Sequence, residues 1–224
     1  MSTSTFSPTI HVAIPGTVLK STALFALDAK NAARTGKGSY LQQVCITSIR
    51  GTLYVVATDG NAMACFESNR QTVPDFEILM PAPTINAFKT SKANAEADWL
   101  FHIHPAVRDP QTTHVTEPAQ DLVELPAGVS QSFEASTDKY PPFLRVIPPA
   151  EPEPMAPTYF DHRLLAKFVA AQKILGVSDK LHGVLDYLPQ GNRGIRVGIL
   201  VDPPMYWEFI GVVMPFKLGD TTGY

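Results

Sequence analysis

His102, His104 and His114 are the residues of this 224-residue chain whose types come nearest to metal chemistry. Successive side chains of a strand alternate faces, so His102 and His104 share one, and two imidazoles at that spacing can hold an ion. No carboxylate or cysteine stands where it would complete the set, and histidines on the open face of a strand are ordinary. A metal-dependent enzyme is therefore the third of three readings, behind two binding functions, and neither a bound metal nor a cofactor is expected.

The segment RTGKGS (Arg34 to Ser39) has the flavour of a phosphate loop. It lacks a glycine five residues before Gly36, and Gly38 follows Lys37 where a hydroxyl should, so it reads as a helix C-cap and a loop. There is no Gly-x-Ser-x-Gly elbow, no His-Glu-x-x-His and no carboxylate pair that stands out from surface acids. The chemistry available is that of an accessory protein, not an enzyme. Cys45 and Cys65 lie in apolar runs without Cys-x-x-Cys spacing, which fits reduced thiols in a cytoplasm. No run of about 18 apolar residues exists, and MSTSTFSPT has neither a basic nor a greasy leader region, so a cytoplasmic protein away from membranes is expected. A net charge of −3 excludes a wholly basic nucleic-acid binder and leaves open how charge is distributed.

The elements that must position any site follow one plan used three times: a strand, a helix, then strands of period two. In IHVAIPGTVLKSTALFALDAKNAA a strand meets a helix starting at Pro15, with Val18, Leu19, Thr22, Phe25, Ala26 and Ala29 on one face; strands follow at 41–48, 53–57 and 62–66. FEILMPAPTINAFKT repeats the opening, with strands at 99–103, 121–125 and 132–135. In TYFDHRLLAKFVAAQKIL, Asp161 caps a helix with an apolar stripe of Leu164, Leu165, Phe168, Ala171 and Leu175, and strands follow at 184–187, 195–200 and 208–215. The fold class is α+β, antiparallel sheets with helices on one face. The expected organisation is a two-unit domain over 1–148, a stiff proline-rich linker over 149–157, and a half-domain over 158–224. HPAVRDPQTTHVTEPAQ reads as a long hairpin loop.

Three short stretches carry more than a fold. ATDG (Ala57 to Gly60) sits in YVVATDGNAMACF, where Asp59-Gly60 is a strong hairpin signal; YPPFLRVIP (Tyr140 to Pro148) by itself reads as a strand entering the linker; IGVVMPFKL (Ile210 to Leu218) reads as a last strand ending on proline. Together, in this order, they resemble the bacterial sliding clamp, the beta subunit of DNA polymerase III, over about Ile10 to Leu218. The chain resembles the clamp's middle domain plus the last half-domain, and so the DNA clamp fold is implied. In that family the three stretches build one hydrophobic pocket for short motifs of polymerases and repair proteins. The resemblance implies that Thr58, Gly60, Asn61 and Met63 line a cleft against Pro141, Arg145 and Val146 and against Val212, Met214, Pro215, Phe216, Lys217 and Leu218. Methionine and phenylalanine walls adapt to different guests, and Arg145 and Lys217 can hold a carbonyl or carboxylate at the rim.

The resemblance further implies double-stranded DNA as a non-specific, backbone-held partner, with a clamp loader and a homo-oligomeric ring in the background. Between Gly16 and Gly38 the chain carries Lys20, Lys30, Arg34 and Lys37 against Asp28. Between Asp161 and Lys180 it carries Arg163, Lys167, Lys173 and Lys180 against Asp161 and Asp179, so the remainder of the chain is acidic. Basic helices suit a clamp that slides along phosphates. The chain departs from the family in having three units where six are usual, Asn61-Ala62 where His-Arg is common, and a tail, GDTTGY, past the usual last leucine. Its brevity suggests a form carried by a phage or mobile element. The rival of the tether is a monomeric decoy or regulator that sequesters clamp-binding motifs without surrounding DNA.

Overall fold

Period-two patterning dictates the architecture. Along the strands of the central sheet, Val44, Ile46, Leu53, Val55, Ala57, Ala62, Ala64, Phe66, Ile78, Met80 and Val213 face one hydrophobic core, while Cys45, Tyr54, Val56, Met63, Cys65, Leu79, Ile210 and Val212 face another. A sheet apolar on both faces must be covered twice. Helices cover the first face, and the segment around Tyr140 and Phe143 covers the second.

The structure, a computed structural model, describes residues 9–36, 38–88, 97–103, 107–108, 115–117, 121–125, 129–133, 136, 138–151, 160–177, 185–188, 194–199 and 206–215. The first unit comprises β1 (Ile10–Pro15), α1 (Gly16–Ala23), α2 (Ala29–Thr35), β2 (Gln43–Ile49), β3 (Thr52–Thr58) and β4 (Ala62–Thr72). The second has β5 (Phe76–Pro81), α3 (Ala82–Ala87), β6 (Asp98–Ile103), β7 (Val107–Arg108), β8 (Val115–Glu117), β9 (Asp121–Leu125) and β10 (Val129–Phe133). The third has α4 (His162–Ile174), β11 (Leu185–Leu188), β12 (Ile195–Ile199) and β13 (Trp207–Val213). The fold is α+β with antiparallel sheets, as the sequence pattern implies.

Two sheets carry it, one of seven strands in the order β11-β12-β13-β4-β3-β2-β5 and one of four in the order β1-β6-β9-β10; β7 and β8 pair as a hairpin in the polar connector. The first two units exchange strands: β1 pairs with β6 of the second, and β5 pairs with β2 of the first. The third unit joins the first through seven register pairs between β13 and β4, from Trp207↔Ser68 to Val213↔Ala62. The proline-rich segment thus separates these units along the chain while one sheet runs through both. Residues 152–157 of that segment lie outside the described residues.

The long first helix expected from Pro15 onward is two helices. α1 ends at Ala23, and Asp28 caps α2 by accepting the Asn31 N–H at 2.9 Å; between them the Leu27 N–H is drawn off to the Leu41 carbonyl at 2.7 Å. A side-chain acceptor that starts a new helix outcompetes continuation of the old one. Residues 41 and 42, read as strand, finish a 3₁₀ turn at Ser39–Gln42. The tenth strand covers Val129–Phe133 where 132–135 was expected, and the last ends at Val213, one residue before the proline-preceding Met214.

Asp161 caps α4 as expected, accepting the Arg163 N–H at 2.9 Å. Of the predicted stripe, Phe168, Ala171 and Leu175 are buried in the main core, while Leu164 and Leu165 are partly buried against it. Phe168 stacks edge-on to Phe25, ring centroids 4.7 Å apart, and lies against β13 where Gly211 leaves room; a Cβ there would meet the Phe168 ring at 2.3 Å. Glycine is needed at 211 so that helix and strand can touch.

Candidate functional site

The register that builds the central sheet also builds a groove on its second face. Thr58 is paired with Met63 across β3 and β4, and Met63 with Val212 across β4 and β13, so the three side chains stand in a row. The Met214 N–H then donates to the Asn61 carbonyl at 2.8 Å, which holds Met214 beside the hairpin after β13 has ended. Period two puts residues 58, 63, 212 and 214 on the same face although they come from distant parts of the chain.

The hairpin is a three-residue loop whose shape follows from its side chains. Asp59 Oδ1 accepts the N–H groups of Asn61 and Ala62 at 2.7 and 2.8 Å; Thr58 Oγ1 donates to the Ala62 carbonyl at 2.8 Å and accepts the Gly60 N–H at 3.0 Å. Gly60 takes φ +92°, a conformation that only glycine adopts readily. Asp59 Oδ2 reaches the other way and takes Lys167 Nζ of α4 at 2.7 Å, with only 9% of the Asp59 side chain exposed. One carboxylate therefore closes the turn and ties it to a helix across the sheet edge.

The opposite wall comes from residues 140–147. Tyr140 and Phe143 insert their rings into the second core, next to Tyr54, and prolines 141 and 142 hold the chain extended before a 3₁₀ turn at Phe143–Arg145. The turn aims Leu144, Arg145 and Val146 outward; Val146 is 57% exposed and, across the groove, Met214 is 48% exposed. Burial pushes the Tyr140 hydroxyl well above its ordinary pKa and does the same to the Cys45 thiol beneath the groove, so the floor is neutral and unreactive.

The result is a cleft of about 650 Å³ between hairpin, turn and last strand. Of the thirteen residues that the clamp resemblance implied, Phe216, Lys217 and Leu218 lie outside the described residues. Nine others line the cleft: Thr58, Gly60, Asn61, Met63, Pro141, Arg145, Val146, Val212 and Met214. Pro215 stands next to it in the chain but is not among the lining residues. Tyr140, Pro142 and Phe143 also line it, from inside a segment already singled out; Gly38, Tyr40 and Leu41 do so without any signal in their own sequence.

By sequence, no family model and no curated relative matches the chain. By structure it is similar to the DNA polymerase sliding clamp of Caulobacter crescentus, with a TM-score of 0.56 and 17% identity, over 97% of this chain and 68% of that one. The sliding clamp of Pseudomonas aeruginosa aligns with a TM-score of 0.54 and 14% identity over 95% and 68%, and the H. pylori beta clamp with 0.59 and 10% over 97% and 69%. The chain has the sliding-clamp fold. At these identities the likeness concerns the fold, and the chain spans about two thirds of those clamps' length.

The basic residues expected to face DNA in a clamp fold are not all equivalent. Lys30 and Arg34 on α2 and Lys173 in the last turn of α4 are exposed, and Lys20 on α1 is half-buried. Arg163 is bound to its own helix cap, Nη2 to Asp161 Oδ2 at 2.6 Å, which helps hold the Asp161 carboxyl below its ordinary pKa. Lys167 is bound to Asp59 and lies 5.9 Å from the Phe25 ring centroid. Lys37 lies outside the described residues.

Of the metal candidates, His104 and His114 also lie outside them. His102 faces Glu124 of β9, Nε2 to Oε1 at 3.5 Å, and stacks edge-on with His11, its register partner on β1. Among the described residues no group of three or more histidines, cysteines or carboxylates converges as a metal site. No helix described is long and apolar enough to cross a membrane.

Proposed function

We propose that the protein is a sliding-clamp-like tether, not an enzyme, which captures short linear motifs of DNA polymerases or repair proteins in the cleft between the Asp59 hairpin, the Phe143 turn and β13. The observation that carries this reading is the convergence of nine residues, named by resemblance from three distant segments, around one apolar groove. The groove suits an extended peptide with two apolar anchors. Met63, Val212 and Met214 supply an adaptable wall, and Arg145 stands at the rim for a carbonyl or carboxylate. Each of two buried anchors, a leucine and a phenylalanine, contributes about 1.5 to 3 kcal/mol. Set against an association cost of at least about 4 kcal/mol, the two anchors alone fall short of the roughly 8 kcal/mol net that micromolar binding needs, so hydrogen bonds to the peptide backbone and contacts at the rim must add to them.

The test is Met214→Asp. Met214 is nearly half exposed, so the fold should tolerate the change, whereas a carboxylate in the wall repels the apolar anchors. Fluorescence anisotropy with a labelled Gln-x-x-Leu-Phe peptide is expected to show micromolar binding to the parent protein and at least about thirtyfold weaker binding to the variant, a loss of about 2 kcal/mol. Equal affinity in a variant with an unchanged melting curve removes the cleft from the function.

Passage around double-stranded DNA, in a homo-oligomer placed by a loader, is the second half of the tether reading. The engagement of Arg163 and Lys167 with carboxylates favours the rival, a motif-binding decoy that never surrounds DNA. Salt-sensitive retention on circular but not linear DNA distinguishes them, since a ring slips off free ends and a decoy is retained on neither.

A further inference from the structure

Sulfur chemistry is open at one place in the described fold. The thiols of Cys45 and Cys65 are free and fully buried in the second core, beneath the cleft. Burial pushes both above the ordinary thiol pKa, and the thiolate is the form that attacks an oxidant, so these two are sheltered by access and by protonation together. A thioether needs no deprotonation, and for methionine it is exposure that sets the order of attack. Among the described residues Met80 is 0% exposed, Met63 4% and Met214 48%.

The Met214 sulfur has a defined seat. Its backbone is fixed just past the end of β13 by the N–H that donates to the Asn61 carbonyl at 2.8 Å. Its side chain lies against Gly194, where a Cβ would come within 3.3 Å of Met214 Sδ and 2.8 Å of Val212 Cγ1. The missing side chain at 194 thus leaves room for the thioether and Val212 side by side in the cleft wall, where an apolar anchor of a guest would pack. The most exposed sulfur among the described residues therefore stands at the candidate binding surface.

We infer that Met214 is a reversible oxidation site through which a hydroperoxide weakens the hold of the cleft on its guests. The effect on guests rests on the reading of the cleft as a peptide site; the oxidation itself does not. A sulfur lone pair attacks the terminal peroxide oxygen, the S–O bond forms as the O–O bond breaks, and the sulfur gives up two electrons. The departing hydroxide or alkoxide takes the proton left on the transferred oxygen, so the products are methionine sulfoxide and water or an alcohol. A methionine sulfoxide reductase reverses the step with two thiols, which become a disulfide while the oxygen leaves as water with their two protons. The sulfoxide makes an adaptable apolar wall polar, and an apolar anchor that packs on it strips water from the S=O without returning a hydrogen bond. Arg145, on the same cleft, is a donor for which this oxygen competes with a guest's carbonyl or carboxylate.

Treating the full chain with hydrogen peroxide and mapping its peptides by mass spectrometry over time tests the site, and anisotropy with the labelled Gln-x-x-Leu-Phe peptide before and after tests the effect. Met214 is expected to be oxidised at least about tenfold faster than Met63 and Met80, with Cys45 and Cys65 still reduced, and saturating peptide is expected to slow Met214 selectively. The oxidised protein is expected to bind the peptide at least about fivefold more weakly with an unchanged melting curve, and reductases for both sulfoxide epimers to restore the starting affinity. In Met214→Leu, compared with its own starting affinity, peroxide should change nothing, which separates Met214 from the other methionines. Oxidation of Met214 no faster than of Met63 and Met80, an affinity that the sulfoxide leaves unmoved, or a loss that persists in Met214→Leu overturns the inference. An untreated protein that does not bind the peptide overturns the reading of the cleft and with it the effect on guests, while the peptide mapping still decides the oxidation site.

Discussion

Asp59 has two tasks, and separating them measures what fixes the hairpin of the cleft. Oδ1 closes the turn through two backbone N–H groups, while Oδ2 binds Lys167 Nζ at 2.7 Å; the two side chains are 9% and 25% exposed. Asp59→Asn keeps an acceptor for the turn and removes the charge, whereas Asp59→Ala removes both. An exposed ion pair is worth about 0.2 to 1 kcal/mol, and a hydrogen bond to a charged group about 1.5 to 3. With the carboxylate nearly buried and the amine a quarter exposed, the pair should contribute about 1 to 2 kcal/mol, and the turn bonds a similar amount again. A chain of this size loses about 2 to 4 °C of Tm per kcal/mol, so Asp59→Asn should lower Tm by about 2 to 8 °C and Asp59→Ala by roughly twice that. Calorimetry on both, on Lys167→Met and on the Asp59→Asn/Lys167→Met double variant gives a coupling energy, expected near 1 kcal/mol or more and little affected by salt. A coupling within about 0.3 kcal/mol of zero would refute the idea that α4 holds the hairpin. The same series should show peptide affinity falling further in Asp59→Ala than in Asp59→Asn, since only the former undoes the turn that places Met63.

Two other predictions concern the sheet on which the cleft is built. Gly211→Ala should destabilise by about 1 to 3 kcal/mol, because the new Cβ would lie 2.3 Å from the Phe168 ring and 2.9 Å from the Val197 carbonyl, one of them rigid backbone; a chemical-denaturation midpoint unchanged from the parent would count against that contact. Glu67→Gln should be neutral or stabilising by about 0.2 to 1 kcal/mol near pH 7, because Glu67 faces Glu208 as its register partner, and burial first and Glu208 second raise its pKa. The sign follows from that direction: a carboxylate whose pKa is raised by folding costs stability above its folded pKa, and the cost disappears as the pH falls through that value. Urea titrations at pH 4 and 7 should show the advantage of the Gln variant only at the higher pH, and an advantage that grows in acid would contradict the assignment.

The amino-acid sequence determined the alternation that gives the central sheet two apolar faces, the turn at Asp59-Gly60, the cap at Asp161 and, in the first two units, the order of strand, helix and strands, because each is a matter of local spacing and local hydrogen bonding. The clamp-like wording of three segments was legible as well. Tertiary structure decided what spacing cannot encode. That Thr58, Met63 and Val212 form a row depends on β13 choosing β4 as its neighbour, a pairing about 150 residues apart in the chain. Tyr40 lines the cleft only because its 3₁₀ turn brings it within 6.2 Å of Tyr140, ring centroid to ring centroid. Lys167, which by sequence is one more base on a basic helix, is directed to Asp59 by the approach of α4 to α1, and Gly211 is where the two surfaces meet closely enough to forbid a side chain. Local chemistry fixes which face a residue points to; which other faces it meets is set by long-range packing, where the free energy of burial is collected over the whole sheet at once.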